Sequence, residues 1–119
     1  MKKINLEQKF ALISKHWDPK IVGQLNDQQV KLVKFSGSFV WHKHEAEDEL
    51  FLVIRGEFEM QFRDRSIPLK AGEFIIVPRG VEHRPSASKE VQVLLFEPAT
   101  TVNTGDKITG RTVSDPERI

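Results

Sequence analysis

Hydrophobic and polar residues alternate along most of the chain, and this period of two is typical of β-strands with one buried face. The clearest alternation covers residues 57–63, in which Phe58, Met60 and Phe62 are separated by charged or amide side chains. Residues 49–55 are apolar on both faces of the expected strand, which indicates that the strand is covered on both sides. Glycine and proline separate these short segments, so the pattern predicts an all-β sandwich or barrel.

The N-terminal segment follows a different period. Leu6, Phe10 and Ile13 fall on one face of a helix, and Asn5 precedes them as a candidate N-cap. We therefore predict a short helix over residues 6–13. Every later segment favours strand, and the remaining strands are predicted at 20–25, 28–35, 39–44, 67–69, 74–77, 82–86 and 91–97.

The chain of 119 residues is long enough for one domain with one core. We predict an N-terminal segment over residues 1–19, a β-barrel over residues 20–98 and a C-terminal loop over residues 99–119. Because this tail is polar and rich in threonine and glycine, we expect residues 112–119 to be disordered.

Composition and charge exclude several classes of function. Acidic and basic residues are interleaved and the net charge is +1, so the chain lacks the basic face of a nucleic-acid-binding protein. The absence of cysteine excludes disulfides and thiolate catalysis. No apolar run approaches the roughly 20 residues of a membrane-spanning helix, and polar residues interrupt the start of any signal peptide. We therefore expect a cytoplasmic protein that binds neither nucleic acid nor membrane.

Residues 41–56, WHKHEAEDELFLVIRG, place metal-ligating side chains before an apolar strand. His42 and His44 are two residues apart, so a strand directs both imidazoles to one face. Val40 shares that face, and we expect the face to be the interior, where two imidazoles need polar partners. A divalent transition metal would satisfy both rings. Alternatively, both are core histidines that bond to backbone carbonyls or water.

Two further residues can complete such a site. Glu49 is in step with Phe51 and Val53 and meets the imidazoles if that face is inward; otherwise it is a solvated carboxylate of the acidic turn that precedes it. His83 follows the turn at residues 78–80 and lies near the start of another strand. Three histidines and one glutamate would match a single metal with one or two open positions.

The spacing of these residues resembles the cupin superfamily. Gly37-x4-His42-x-His44-x4-Glu49-x6-Gly56 is similar to the first cupin motif, and Gly72-x5-Pro78-x-Gly80-x2-His83-x3 is similar to the second. Fifteen residues, 57–71, separate the two motifs, as in the most compact cupins.

The resemblance implies a cupin-type double-stranded β-helix, which is a jelly-roll-like barrel of two antiparallel sheets. It also implies a homodimer and one divalent transition metal, which would be iron, manganese, zinc, nickel or copper. The implied metal ligands are His42, His44, Glu49 and His83.

Two positions depart from the cupin motifs. Four residues, rather than five, separate Gly37 from His42, and this loop change should leave the ligands in place. Ala87 stands where the second motif usually has asparagine. That asparagine is not a ligand, so its loss leaves metal binding open.

Three functions from different classes remain open. The first is a metal-dependent enzyme of dioxygenase, isomerase or lyase type that acts on a small molecule, in which Arg79 and Arg84 are candidates for holding an anionic substrate. The second is a non-catalytic module that binds a small ligand or a metal. The third is a metal-free structural cupin. The fold alone does not choose among them.

Overall fold

A computed structural model describes residues 1–119. The chain forms one helix, α1 (Leu6–Ala11), and seven strands, which are β1 (Lys20–Leu25), β2 (Gln28–Ser38), β3 (Glu49–Arg55), β4 (Glu57–Gln61), β5 (Ser66–Lys70), β6 (Phe74–Val77) and β7 (Arg84–Pro98). The strands pair in the order β1-β2-β7-β3-β6, and β4 pairs with both β5 and β7. All pairs are antiparallel. The predicted all-β fold with a short N-terminal helix is confirmed.

Strand β7 joins the two halves of the barrel. Its first residues pair with β4 and its residues 92–96 pair with β3, while β2 pairs along the opposite edge. The prediction of two strands at 82–86 and 91–97 is therefore wrong. Residues 88–90 are exposed and polar, as in a turn. The pairing with β2 nevertheless continues on both sides of them, because a bulge between Phe35 and Gly37 absorbs the extra residues of β7.

The predicted strand at residues 39–44 is also wrong. This segment forms only an isolated bridge, in which His42 and His83 exchange two backbone hydrogen bonds of 3.1 and 2.9 Å. The C-terminal tail occupies the neighbouring position, because the Asp106 N–H donates to the Lys43 carbonyl and the Asp106 carboxylate accepts from the Lys43 N–H. These contacts with a distant segment replace strand pairing.

Two hydrophobic clusters explain why β3 is apolar on both faces. Phe51 and Val53 belong to a core of 12 buried residues inside the barrel. Ile54 packs on the opposite side against a second cluster, to which α1 contributes Phe10. The N-terminal segment therefore covers the outer face of this strand. The predicted homodimer stays a prediction.

The C-terminal end of the chain is tied to strand β1. The Ile21 N–H donates to the Glu117 carbonyl at 2.9 Å, and the Ile119 N–H donates to the Ile21 carbonyl at 3.0 Å. Residues 117–119, the end of the segment expected to be disordered, are thus paired with β1, since the free edge of that strand offers backbone partners. The helix ends at Ala11 and not at residue 13, and it is too short to cross a membrane.

Candidate metal centre

The four predicted ligands meet at one end of the barrel core. His42, His44, Glu49 and His83 each offer one ligand atom, and these atoms lie within 4.8 Å of one another. Their side chains are almost fully buried, with 1–4 % of each residue exposed. The structure therefore brings together the four side chains that the sequence pattern singled out, although Val40, taken as the marker of the inward face, is only half-buried.

Backbone pairing brings the two motif segments together. The bridge between His42 and His83 aligns the first motif with the second. The Gly80 N–H donates to the His44 carbonyl at 2.7 Å, which fixes the turn before His83. Glu49 is the first residue of β3 and pairs with Val77, the last residue of β6. The ligands therefore come from segments held by the sheet rather than from free loops.

Hydrogen bonds to the backbone set the tautomer of two histidines. His42 Nδ1 lies 2.9 Å from the Val40 carbonyl oxygen, and His83 Nδ1 lies 2.9 Å from the Val81 carbonyl oxygen. A carbonyl only accepts, so each Nδ1 carries the proton and each Nε2 presents its lone pair. Such a contact to the second ring nitrogen is what orients histidine ligands in metal proteins.

Three buried atoms of the cluster lack a hydrogen-bond partner. They are His44 Nε2, His83 Nε2 and Glu49 Oε1. The Glu49 oxygen lies 3.2 Å from the first nitrogen and 3.4 Å from the second, but the geometry of neither contact is that of a hydrogen bond. Each unsatisfied buried polar atom costs about 1–3 kcal/mol. A cation among them would remove that cost, and nitrogen and oxygen donors suit a divalent transition metal.

The charges of the cluster are strongly coupled. Burial and the neighbouring His83 lower the pKa of His42 to about 4. Burial alone would raise the pKa of Glu49, but the imidazoles of His44 and His83 outweigh it and hold the pKa well below its usual range. Burial opposes charge on His44 as well, yet the Glu49 carboxylate raises the pKa of that ring. The lowered pKa favours an ionised Glu49 carboxylate, which would attract a cation.

We expect the metal-free protein to lose stability as the pH falls from 6.5 to about 4, because of His42. The unfolded chain protonates this ring near its ordinary pKa of 6.5, whereas the folded chain does so only near pH 4. The folded state therefore binds fewer protons in this window, which destabilises it by up to about 3 kcal/mol. His44 acts in the opposite sense, since its raised pKa contributes stability at low pH that is lost as the pH rises.

Urea unfolding with a chelator present, at pH values between 4 and 6.5, measures this dependence. The matched variant is His42→Asn, which keeps a donor for the Val40 carbonyl but does not titrate. Its stability should change less over this window than that of the wild type. Equal pH slopes in the two proteins would contradict the role given to His42.

An apolar cavity of about 40 Å³ adjoins the cluster. Only three of its lining residues are polar, namely His42, Glu49 and Asn103. Trp17 lines its wall and stacks on Phe35 and Phe39 at centroid distances of 4.4 and 4.6 Å. The volume exceeds the 10–15 Å³ or so that one water requires, so a small group has room beside the ligands.

Sequence reasoning missed several residues around the site. Trp17 and Asn103 lie outside the motifs and reach the cavity through the tertiary fold, so no local signal indicated them. Lys31 and Glu97 form a buried ion pair with Nζ 2.9 Å from Oε1. The sequence did indicate that these two side chains point inward, because Lys31 and Glu97 continue the period of two set by the buried apolar residues of their strands.

The two arginines near the second motif do not reach the cavity. Arg79 donates to the Asp48 carboxylate, and Arg84 donates to Gln61 while it stacks over Trp41 at 4.8 Å. Neither lines the cavity beside the ligands. The structure therefore gives no support to the idea that they hold an anionic substrate.

The fold and the four-residue cluster together define a small single-domain cupin. The chain belongs to the cupin family, since the family model described as Cupin domain matches residues 30–97. That match begins in β2 and ends in β7, and it includes both motif segments.

Several known proteins are similar to this chain. A cupin-2 domain containing protein from Shewanella frigidimarina NCIMB 400 has 46 % identity and a TM-score of 0.79 over 80 % of this chain and 93 % of that chain. Protein NMB1881 from Neisseria meningitidis has 33 % identity and a TM-score of 0.76 over 82 % of this chain and 99 % of that chain. The uncharacterized protein YdbB of Bacillus subtilis (strain 168) is 39 % identical over 64 residues. That match covers 53 % of this chain and 57 % of the relative, so the chain spans little more than half of YdbB.

Proposed function

We propose that this cupin is a metalloenzyme of dioxygenase, isomerase or lyase type that acts on a small molecule. It would bind one divalent transition metal through His42, His44, Glu49 and His83. The observation that carries the proposal is the convergence of three buried, unpartnered donor atoms beside a cavity. When bound, such a metal supplies Lewis-acid or redox chemistry at its open coordination positions.

The protein contributes orientation and exclusion of water. The Val40 and Val81 carbonyls fix the imidazoles of His42 and His83, so their Nε2 atoms need no reorganisation to meet a cation. The apolar walls keep the cavity poor in competing hydrogen-bond partners. His42 and Glu49 belong to the metal cluster and also line the cavity. A small molecule bound in the cavity would therefore lie next to the metal.

The lining favours an uncharged substrate. It contains no lysine or arginine that could pair with an anionic group, and its one carboxylate, Glu49, belongs to the proposed ligand set. The Asn103 side chain is already engaged, since its Nδ2 donates to the Arg111 carbonyl and its Oδ1 accepts from the Val113 N–H. A compact molecule with an apolar body and one polar group matches these walls.

A non-catalytic binding module is the second candidate function. The titratable residues that line the cavity are His42 and Glu49, and both belong to the proposed ligand set. No further group there is placed to transfer protons as a general acid or base. A module of this kind would bind metal and small ligand without turnover, and a substrate screen distinguishes it from an enzyme.

Elemental analysis of protein purified without chelator or nickel resin tests the metal. We expect about one transition-metal ion per chain, because the cluster offers four ligands to a single centre. The identity of that metal then selects the reactions to screen, with small uncharged compounds as substrates and their carboxylate analogues as controls. A chain that contains no metal and takes up none from added iron, zinc, manganese, nickel or copper would contradict the proposal.

A further inference from the structure

A buried row of charged side chains crosses the inner face of three neighbouring strands. Lys31 lies on β2, Glu97 on β7 and Glu49 on β3, and each is at most 3 % exposed. Lys31 pairs in register with Leu95, two residues before Glu97. Leu50 pairs with Phe96, which places Glu49 across from Glu97 one step further along the ladder. Residues opposite one another share a face of the sheet, so the three side chains are neighbours.

The contact between Lys31 and Glu97 is direct. The Lys31 ammonium donates to Glu97 Oε1 at 2.9 Å and to the Thr101 carbonyl at 3.4 Å. The other oxygen of Glu97, Oε2, is buried without a partner, as is Glu49 Oε1. Because Leu50 pairs with Phe96, the buried Glu49 and Glu97 side chains project from opposing positions of neighbouring strands. Glu97 does not belong to the four residues whose ligand atoms cluster within 4.8 Å, and Glu49 is the member of that cluster that lies across the ladder from it.

Stability does not explain such a pair. Desolvating an ammonium and a carboxyl group costs free energy, and apolar residues of similar volume often serve a core as well or better. Lys31 and Glu97 stand among inward apolar positions where such residues would fit, as Val33 and Leu95 show on the same strands. A buried pair beside a candidate metal ligand instead matches the carboxylates that orient ligands in metal sites.

We propose that Lys31 and Glu97 are positioning residues for the metal ligand Glu49. Lys31 anchors Glu97, and Glu97 occupies the space into which the Glu49 carboxylate would otherwise turn. Glu49 therefore stays directed at His44 and His83, at the 3.2 and 3.4 Å contacts that the structure shows. This inference rests on the proposed function, because it assigns Glu49 to the metal.

Cobalt(II) binding followed by visible absorption tests the proposal, since the ligand-field bands report the coordination sphere without any need for activity. We expect Lys31→Met and Glu97→Ala to weaken cobalt(II) binding by about 10–100-fold, as other changes to ligand-orienting partners do. Their spectra should shift toward that of Glu49→Ala. The conservative variant Glu97→Gln should retain more of the wild-type spectrum, because its amide still fills the space beside Glu49.

Lys34→Met is the matched control. Lys34 lies on the same strand as Lys31, but its ammonium donates to the Ile13 carbonyl at 2.8 Å and does not contact Glu97. This variant should lose stability and keep the wild-type cobalt(II) spectrum. The double variant Lys31→Met/Glu97→Gln leaves no unpaired buried charge, and so it separates positioning from folding.

The positioning role would be overturned if Lys31→Met, Glu97→Ala and the double variant all bound cobalt(II) with the wild-type affinity and spectrum. That result would not contradict the metal site itself. A wild-type protein that binds no cobalt(II), zinc or other added metal would instead overturn the proposed function itself. The two failures are therefore distinguishable within one set of titrations.

Discussion

A His83→Ala variant is expected to bind transition metals at least about 100-fold more weakly than the wild type, because changes even to ligand-orienting partners cost 10–100-fold. His83 is 1 % exposed, its Nδ1 is fixed by the Val81 carbonyl, and its unpartnered Nε2 lies 3.4 Å from Glu49. Alanine removes that nitrogen and leaves no nearby group to replace it. Competition titrations with a zinc indicator measure the affinity.

The same variant should also lose stabilisation by metal. A ligand present at about 100 times its dissociation constant stabilises the folded state by about 2.7 kcal/mol, and a 100-fold weaker site loses most of this gain. Thermal melting with and without added zinc measures the difference. His16→Ala is the matched control, because His16 pairs with Glu90 at 2.7 Å near the surface and lies outside the cluster. Equal stabilisation of His83→Ala and the wild type would contradict the assignment of His83 as a ligand.

The proximity of the four candidate ligands could be predicted because its signal in the sequence is local. In His42-x-His44 the spacing of two directs both imidazoles to one side of an extended segment, even though that segment is not a regular strand. Glu49 could be placed inward from its phase with Phe51 and Val53. Both the extended geometry and the alternation of inward and outward side chains depend on only a few consecutive residues. The inferred direction of a side chain can therefore be right even where the strand bounds are wrong.

Pairing between distant segments could not be predicted in this way. The break between predicted strands at 82–86 and 91–97 disappears because β2 pairs with β7 on both sides of a bulge, with Phe35 opposite Val91 and Gly37 opposite Ala87. The cavity wall at Trp17 also depends on the tertiary fold, since this residue adopts a positive φ of 61° and meets Phe35 and Phe39 from outside the barrel motifs. Local periodicity carries no information about which segments meet.

A Gly105→Ala variant is expected to destabilise the protein by about 2–3 kcal/mol, near the upper end of ordinary single substitutions. Gly105 has a φ of +56°, and a Cβ there would lie 2.2 Å from the Lys43 carbonyl oxygen and 3.1 Å from His42 Cδ2. The obstacle is mainly backbone, which cannot move aside as a flexible side chain can. The tail must shift, and the hydrogen bonds between Asp106 and Lys43 should break.

Two glycine variants separate the causes of this effect. Gly110→Ala lies in the same tail, where a Cβ meets nothing within 4 Å and φ is not in the left-handed region, so it should melt like the wild type. Gly72→Ala has open space but a φ of +88°, so it reports the cost of the backbone conformation alone. We expect Gly105→Ala to melt below both and to bind metal more weakly, because the displaced tail no longer packs against His42. If Gly105→Ala instead melted at the same temperature as Gly72→Ala, the tail would be able to move away from Lys43 without loss of stability. The contact between the tail and Lys43 would then not stabilise the segment that carries His42 and His44.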